Sequence, residues 1–124
     1  MQISCYSIST TDIQIINHIP IVEKELIIEM THRIDYSENH SQCVCYTAVR
    51  IRRSDEANIE DKTFLISVNL QAHYTIIEFN GNKDDVQSFT INDMFPHIRS
   101  QIAMIMSSVG LQPIFITNPL LSQS

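Results

Sequence analysis

Two cysteines separated by one residue, Cys43 and Cys45, have a spacing that could serve metal or redox chemistry. Protein zinc sites need a larger ligand set, usually two CxxC pairs or their histidine equivalents. Cys5 is the third and last cysteine of the sequence. We therefore interpret the pair as small apolar side chains that share one face of a strand and pack beneath a sheet. No metal and no cofactor is predicted.

The remaining candidates for catalysis do not form a recognisable constellation. The five histidines form neither an HxH nor an HExxH pattern: His18, His32, His40, His73 and His97. No G-x-S-x-G motif surrounds a serine, and two glycines, Gly81 and Gly110, are too few for a phosphate-binding loop. Asp84 and Asp85 are interpreted as solvated turn residues. The sequence therefore predicts a binding protein with no catalytic residues, and not an enzyme.

Length and charge limit the class of partner. The chain has 124 residues, of which 44% are hydrophobic, and its formal net charge is −6. This predicts one globular domain, 1–124, and argues against binding the nucleic-acid backbone. No stretch is apolar enough to predict membrane insertion, and the N-terminus lacks the features of a signal peptide. We expect a cytoplasmic protein with reduced thiols.

A period of two in hydrophobicity marks the main strand, 64–79. Its second face carries Ser67, Asn69 and Gln71, which are polar but uncharged. A surface in bulk water usually carries charges, so this face is predicted to lie at a contact with another subunit. The apolar face comprises Phe64, Ile66, Val68, Leu70, Ala72, Tyr74 and Ile76.

Three further strands are predicted at 3–16, 24–36 and 43–53, the last two as a hairpin. The connections leave no room for a crossover helix, so the sheet must be antiparallel. We predict an α+β fold in which four antiparallel strands carry one main helix on one face.

The helix is predicted to begin at Phe95-Pro96, with Asn92 or Asp93 as its cap, and to end before Gly110. A helix of about four turns spans roughly 20 Å, which is too short to cover both faces of such a sheet. Uncovered apolar surface usually marks an interaction site, so a dimer or tetramer is expected. The apolar stripe of the helix comprises Ile98, Ile102, Ile105 and Val109.

The helix and tail resemble the SecB family of protein-export chaperones. The sequence FPHIR at 95–99 is followed by an apolar helix, then by Gly110, Pro113 and Pro119-Leu120. Upstream, FLISV at 64–68 resembles the F-L-x-x-V pattern of the family's fourth strand. The order of four strands and a helix also agrees, so the resemblance covers nearly the whole chain.

This resemblance implies a chaperone without enzymatic activity or cofactor that holds unfolded or extended polypeptides in apolar grooves. It implies a dimer of dimers whose helices pack between two sheets. The implied interface residues are Ser67, Asn69, Gln71, Ile98, Ile102, Ile105 and Val109, with the helix stripe facing either another subunit or its own sheet. The implied groove comprises Ile19, Ile21 and Val22 of the first loop, Leu26 and Ile28 of the second strand, and Leu120 and Leu121 of the tail.

The chain departs from the family after Pro119, because only 120–124 follow where the family has a second helix and a tail for the export motor. Contact with that motor is therefore doubtful, and a dedicated client such as an antitoxin becomes a reasonable alternative to general export. Two other classes remain open. One is an assembly protein whose apolar faces serve only homo-oligomerisation, and the other is a small-ligand or enzymatic domain.

Overall fold

A computed structural model describes residues 1–17, 26–54, 64–108 and 110. The elements in these ranges are β1 (Gln2–Asn17), β2 (Leu26–Tyr36), β3 (Gln42–Arg53), β4 (Phe64–Ile77) and α1 (Lys83–Ser108). The strands form one antiparallel sheet in the order β1-β4-β3-β2. The prediction of four antiparallel strands with one main helix on one face is confirmed. No helix among the described residues is long and apolar enough to cross a membrane.

The period of two separates the sheet into a face that packs on α1 and an open face. Cys43, Cys45, Val68 and Tyr74 point to the α1 face and are at most 2% exposed. Their open-face neighbours, such as Ser67 and Asn69, are half-buried. Both cysteines of the CxC pair therefore lie in the hydrophobic core, as the sequence interpretation expected.

The start of α1 differs from the prediction. The helix begins at Lys83 and not at Phe95-Pro96, and its cap is Asn82 instead of Asn92 or Asp93. The Asn82 Oδ1 atom accepts hydrogen bonds from the backbone amides of Asp84 and Asp85, at 3.0 and 3.3 Å. The two aspartates occupy the first turn, where negative charge is favourable beside the helix N-terminus.

Pro96 misled the prediction because proline is common at the first helical position, whereas here it lies inside the helix. Its missing N–H leaves the carbonyl of Asn92 without an intrahelical donor. Both residues are exposed, so water can satisfy that carbonyl. The predicted end is confirmed: Gly110 has a positive φ of 81°, and its amide donates to the carbonyl of Ser107 at 3.1 Å. The helix is 26 residues long, or roughly 39 Å.

A chain of polar side chains connects the sheet to α1 within this otherwise apolar layer. The Thr90 hydroxyl donates to the carbonyl of Gln87 at 3.1 Å, so it must accept from Nε2–H of His32 at 3.0 Å. His32 Nδ1 then accepts from the Thr47 hydroxyl at 2.7 Å. Burial lowers the pKa of His32 to about 4, and the ring is neutral at physiological pH.

Candidate binding surfaces

The two edge strands, β1 and β2, each have one side without a neighbouring strand among the described residues. Such an edge presents backbone N–H and C=O groups that can pair with another chain. β1 is 16 residues long and carries one charged residue, Asp12. β2 carries Glu29, Arg33 and Asp35 within 11 residues. The two edges are therefore chemically different.

Large exposed hydrophobic side chains concentrate beside β1. The β1 flank, as we define it, comprises Met1, Tyr6, Ile13 and Ile15 together with Phe89 and Met104 of α1. Met104 is 64% exposed and Tyr6 is 59% exposed. On β2, Ile27 is the comparable residue among those that the structure describes, at 37%. Ile13 and Ile15 lie on the α1 face, whereas the Tyr6 ring lies beside His73 of the open face, so the flank borders both faces of the edge. Exposed apolar side chains at an edge that is unpaired among the described residues are typical of an interaction site.

The helix side of the β1 flank follows from the packing of α1. His97, Ser100 and Gln101 line a cavity of about 230 Å³ with Ile8 and Thr10 of β1. Residues spaced by three or four lie on one side of a helix, so Met104 continues the row that begins with His97 and Gln101. Nearer the start of the helix, the Phe89 ring packs edge-on against Tyr74, with 6.3 Å between the centroids.

Two β-bulges interrupt the pairing of β1 with β4, one between Cys5 and Ser7 and one between Thr10 and Asp12. The extra residues, Tyr6 and Thr11, are thereby left out of the ladder. A bulge redirects the side chain of the extra residue and increases the local twist of the strand. The Tyr6 ring lies 5.6 Å from the His73 ring, and the Thr11 hydroxyl donates to the carbonyl of Asn69 at 3.2 Å.

The β2 edge is protected by charge. The Glu29 carboxylate forms an ion pair with Arg52 of β3. The Arg33 guanidinium nitrogen Nη2 lies 3.6 Å from Oδ2 of Asp35. Charged side chains on an edge strand oppose pairing with a second strand, because the charges would have to be matched or desolvated. The β2 edge is thus less suited than β1 to permanent association.

The predicted client groove is described only in part. Leu26 and Ile28 lie on the α1 face of β2, half-buried against the hydrophobic core, with Ile28 opposite Ile51. The other five predicted groove residues lie outside the described part of the chain: Ile19, Ile21, Val22, Leu120 and Leu121. Their role stays a prediction.

The predicted interface residues fall into two groups. Ser67, Asn69 and Gln71 lie half-buried on the open face, and their role in an interface stays a prediction. Ile98, Ile102 and Ile105 face the chain's own sheet and are 1%, 1% and 6% exposed. This agrees with the second of the two orientations considered for the helix stripe. Val109 lies outside the described residues.

The open face contains a groove that crosses all four strands. Its volume is about 390 Å³, and its lining includes Thr11, Thr31, Tyr46, Ala48 and Asn69. Small side chains form the floor, because Thr31, Ala48 and Asn69 are direct cross-strand neighbours. At one wall the Arg33 guanidinium lies 4.5 Å from the centre of the Tyr46 ring. The groove mixes polar and apolar lining, with threonine, asparagine and arginine side chains beside Ala48 and Tyr46, whereas the large exposed side chains of the β1 flank are apolar.

The buried thiols are poor candidates for reaction or metal binding. A hydrogen bond with Cys43 and burial raise the pKa of the Cys45 thiol above its ordinary value, so the protonated form dominates. The same hydrogen bond lowers the pKa of Cys43, but that side chain is only 2% exposed. Cys5 is exposed, and desolvation together with the neighbouring Asp93 carboxylate raises its pKa. Among the described residues, no three His, Cys, Asp or Glu side chains are grouped to hold a metal ion.

Comparison with known proteins gives a structural likeness and no sequence relative. No protein-family model matches the chain, and no curated protein sequence matches it. A solved structure of the Mycobacterium tuberculosis Rv1957 SecB-like chaperone, in complex with a ChAD peptide from the Rv1956 HigA1 antitoxin, superposes with a TM-score of 0.66. The aligned region covers 93% of this chain and 89% of that chain, at 13% sequence identity.

The fold is SecB-like. At 13% identity the likeness shows how the chain folds and not what it binds. The β1 flank is a surface that the sequence analysis missed. Its signal was present in residues 2–17, where a long strand carries a single charge and ends in apolar residues, but that strand was not known to be an edge.

Proposed function

We propose that this protein is a SecB-like molecular chaperone that binds non-native or extended polypeptide as a homo-oligomer in the cytoplasm, without catalysis or a cofactor. The observation that carries the proposal is the α1 face of β2, where half-buried apolar side chains border a strand edge that is unpaired among the described residues, on a SecB-like fold. Strand edges bind extended chains through backbone hydrogen bonds, and apolar neighbours add affinity.

The β1 flank is proposed as the surface for a second copy of the chain. A twofold axis beside β1 would pair two antiparallel edges and bring together two sets of exposed apolar side chains, including Ile13 and Ile15. Such pairing would cover the surface that a monomer leaves exposed. Ser67, Asn69 and Gln71 are proposed as a further contact on the open face.

The client is proposed to bind at the opposite edge of the sheet, beside β2. Half-buried apolar side chains line the α1 face of this strand along its length: Leu26, Ile28, Met30, Ile34 and Tyr36. The charged side chains of β2, Glu29, Arg33 and Asp35, would oppose permanent pairing with another strand while permitting transient contact. The antitoxin peptide in the solved structure supports an extended segment of a dedicated client, such as an antitoxin. A role in export remains an alternative.

The decisive experiment measures how well the protein suppresses aggregation of an unfolded client. We expect the double variant Leu26→Ser, Ile28→Ser to lose most of this activity, because each fully buried aliphatic contact contributes about 1.5–3 kcal/mol. The matched control is Thr31→Ser, on the open face of the same strand. Unchanged suppression by a folded double variant would place the client elsewhere.

The second candidate, an assembly protein, is favoured by the position of the exposed apolar side chains, because most of them lie on the one flank that a second copy would cover. The two candidates differ in one measurable property. An assembly protein would form the oligomer and fail to suppress client aggregation at any ratio of protein to client.

A further inference from the structure

The turn between β4 and α1 contains an exposed Asn-Gly pair, Asn80 and Gly81. The Asn80 side-chain oxygen accepts a hydrogen bond from the backbone amide of Asn82 at 2.9 Å. This bond holds the side chain over the peptide of Gly81. The residue before the pair is also held in place, because the Phe79 ring stacks on His40 with the centroids 4.8 Å apart.

We propose that Asn80 is a site of spontaneous deamidation, in which the backbone nitrogen of Gly81 attacks the side-chain amide carbon of Asn80. The new N–Cγ bond closes a five-membered succinimide ring, and the Cγ–Nδ2 bond breaks. The proton lost by the Gly81 nitrogen passes through solvent to the leaving nitrogen, which departs as ammonia. Water then opens the ring at either carbonyl and yields aspartate or isoaspartate. One water is consumed, one ammonia is released, and nothing is oxidised or reduced.

The attacking nitrogen is unusually accessible. Glycine has no Cβ to shield its amide, and no described atom beyond Gly81 and its two chain neighbours lies within 4 Å of the position that a Cβ would occupy. Among the residues that the structure describes, the Gly81 amide has no hydrogen-bond acceptor. Attacker and target are neighbours in one chain, so the reaction is intramolecular and benefits from proximity.

The polar groups around Asn80 suit the charge changes of the reaction. Negative charge develops on Oδ1 when the tetrahedral intermediate forms, and the Asn82 amide already donates to that atom. The departing nitrogen, Nδ2, lies 3.4 Å from the Asp85 carboxylate, which can stabilise the proton that this nitrogen gains. The turn therefore supplies a donor at the oxygen and a carboxylate at the leaving group.

Other asparagines provide contrasting surroundings in the same chain. Asn69 precedes Leu70 within β4, where the backbone is paired on both sides by β1 and β3. Asn82 precedes Lys83, and its side-chain oxygen is occupied by the amides of Asp84 and Asp85. Neither combines a following glycine with a free backbone amide.

The modification would alter the start of α1. A carboxylate at position 80 would face Asp85, so the present hydrogen bond would become a repulsion between like charges. The formal charge of the chain would change from −6 to −7. The isoaspartyl product would also insert a main-chain carbon two residues before Asn82, the residue that caps the helix.

The test is to incubate the full-length folded protein in mildly alkaline buffer and follow peptide masses after tryptic digestion. Trypsin releases one peptide, 63–83, that contains Asn69, Asn80 and Asn82, so each asparagine is compared within one molecule. We expect conversion of Asn80 to a mixture of aspartate and isoaspartate, at least about tenfold faster than that of Asn69 or Asn82, given the accessibility of the glycine amide.

Gly81→Ala is the matched variant. Its conversion is measured in the folded protein and in urea, because alanine strains the folded turn at the positive φ of position 81 and urea removes that strain. The substitution should slow conversion under both conditions, because the added methyl group shields the attacking nitrogen. The proposal is overturned if folded Asn80 converts no faster than Asn69. Conversion in urea but not in the folded chain would also overturn it, because the turn would then protect Asn80.

Discussion

Among the described residues, β1 and β2 each leave one side of the strand unpaired, and the two edges differ in charge and in exposed apolar surface. β1 has one charged residue in 16, and large apolar side chains stand exposed beside it. β2 has three charged residues in 11, and its α1-facing side chains are half-buried against the core. An edge strand is thus made suitable for lasting or transient pairing by its side chains, and not by its backbone.

The largest expected effect comes from placing charge on the β1 flank. We expect the double variant Ile13→Lys, Ile15→Lys to weaken self-association by at least about a hundredfold, since losing two aliphatic contacts costs roughly 3 kcal/mol or more. Light scattering coupled to size exclusion across a concentration series measures the effect. Ile27→Lys is the matched control, because Ile27 is an exposed isoleucine on the opposite edge.

Two results would break this comparison of the edges. Equal loss of oligomer from Ile27→Lys would show that association uses both edges. A parent protein that is monomeric at micromolar concentration would remove the assembly role of the β1 flank altogether.

A second, intermediate effect concerns how β2 is held to α1. The pKa of His32 is about 4 in the folded state, below its ordinary value of 6.5, so the unfolded chain takes up a proton first as pH falls. Between these values the unfolded state binds more protons, and the free energy of unfolding therefore decreases as pH falls from about 6.5 to about 4. Above that window His32 contributes no pH dependence.

The measurement is urea unfolding at several pH values within the window. His32→Leu should remove the part of the slope that His32 contributes. Tyr74→Phe is the control on the other side of the helix, because it removes the 2.8 Å hydrogen bond to Asp93 without removing a histidine. If the parent and His32→Leu show the same slope, His32 is not the group that titrates.

The smallest expected effect concerns the ion pair between Glu29 and Arg52. Glu29→Gln should reduce the free energy of unfolding by less than about 1 kcal/mol, as is usual for ion pairs at a protein surface. It should have a larger effect on specificity, because it removes a charge from the β2 edge. We expect a new, weak, concentration-dependent association in this variant, and sedimentation analysis that finds none would count against protection by charge.

Local patterns predicted the elements of this fold with differing success. The period of two over 64–79 located β4 because one side of that strand must be buried, and a slip of one residue would expose it. The end of α1 at Gly110 was predictable because a glycine tolerates the left-handed backbone there. Its start was not, because Pro96 was interpreted as a first-turn residue, although the buried side chains of Val86, Thr90 and Met94 continue the helix upstream.

The sequence by itself determined the strand periods, the fold class and the scarcity of charge in β1. The tertiary structure decided which of these features form a surface. β1 pairs only with β4 among the described strands, which places β1 at an edge and leaves Ile13 and Ile15 exposed. The sheet covers the helix stripe of Ile98, Ile102 and Ile105. The physical reason is that periodicity specifies which side chains share a face, whereas their burial depends on strands and helices distant in the sequence.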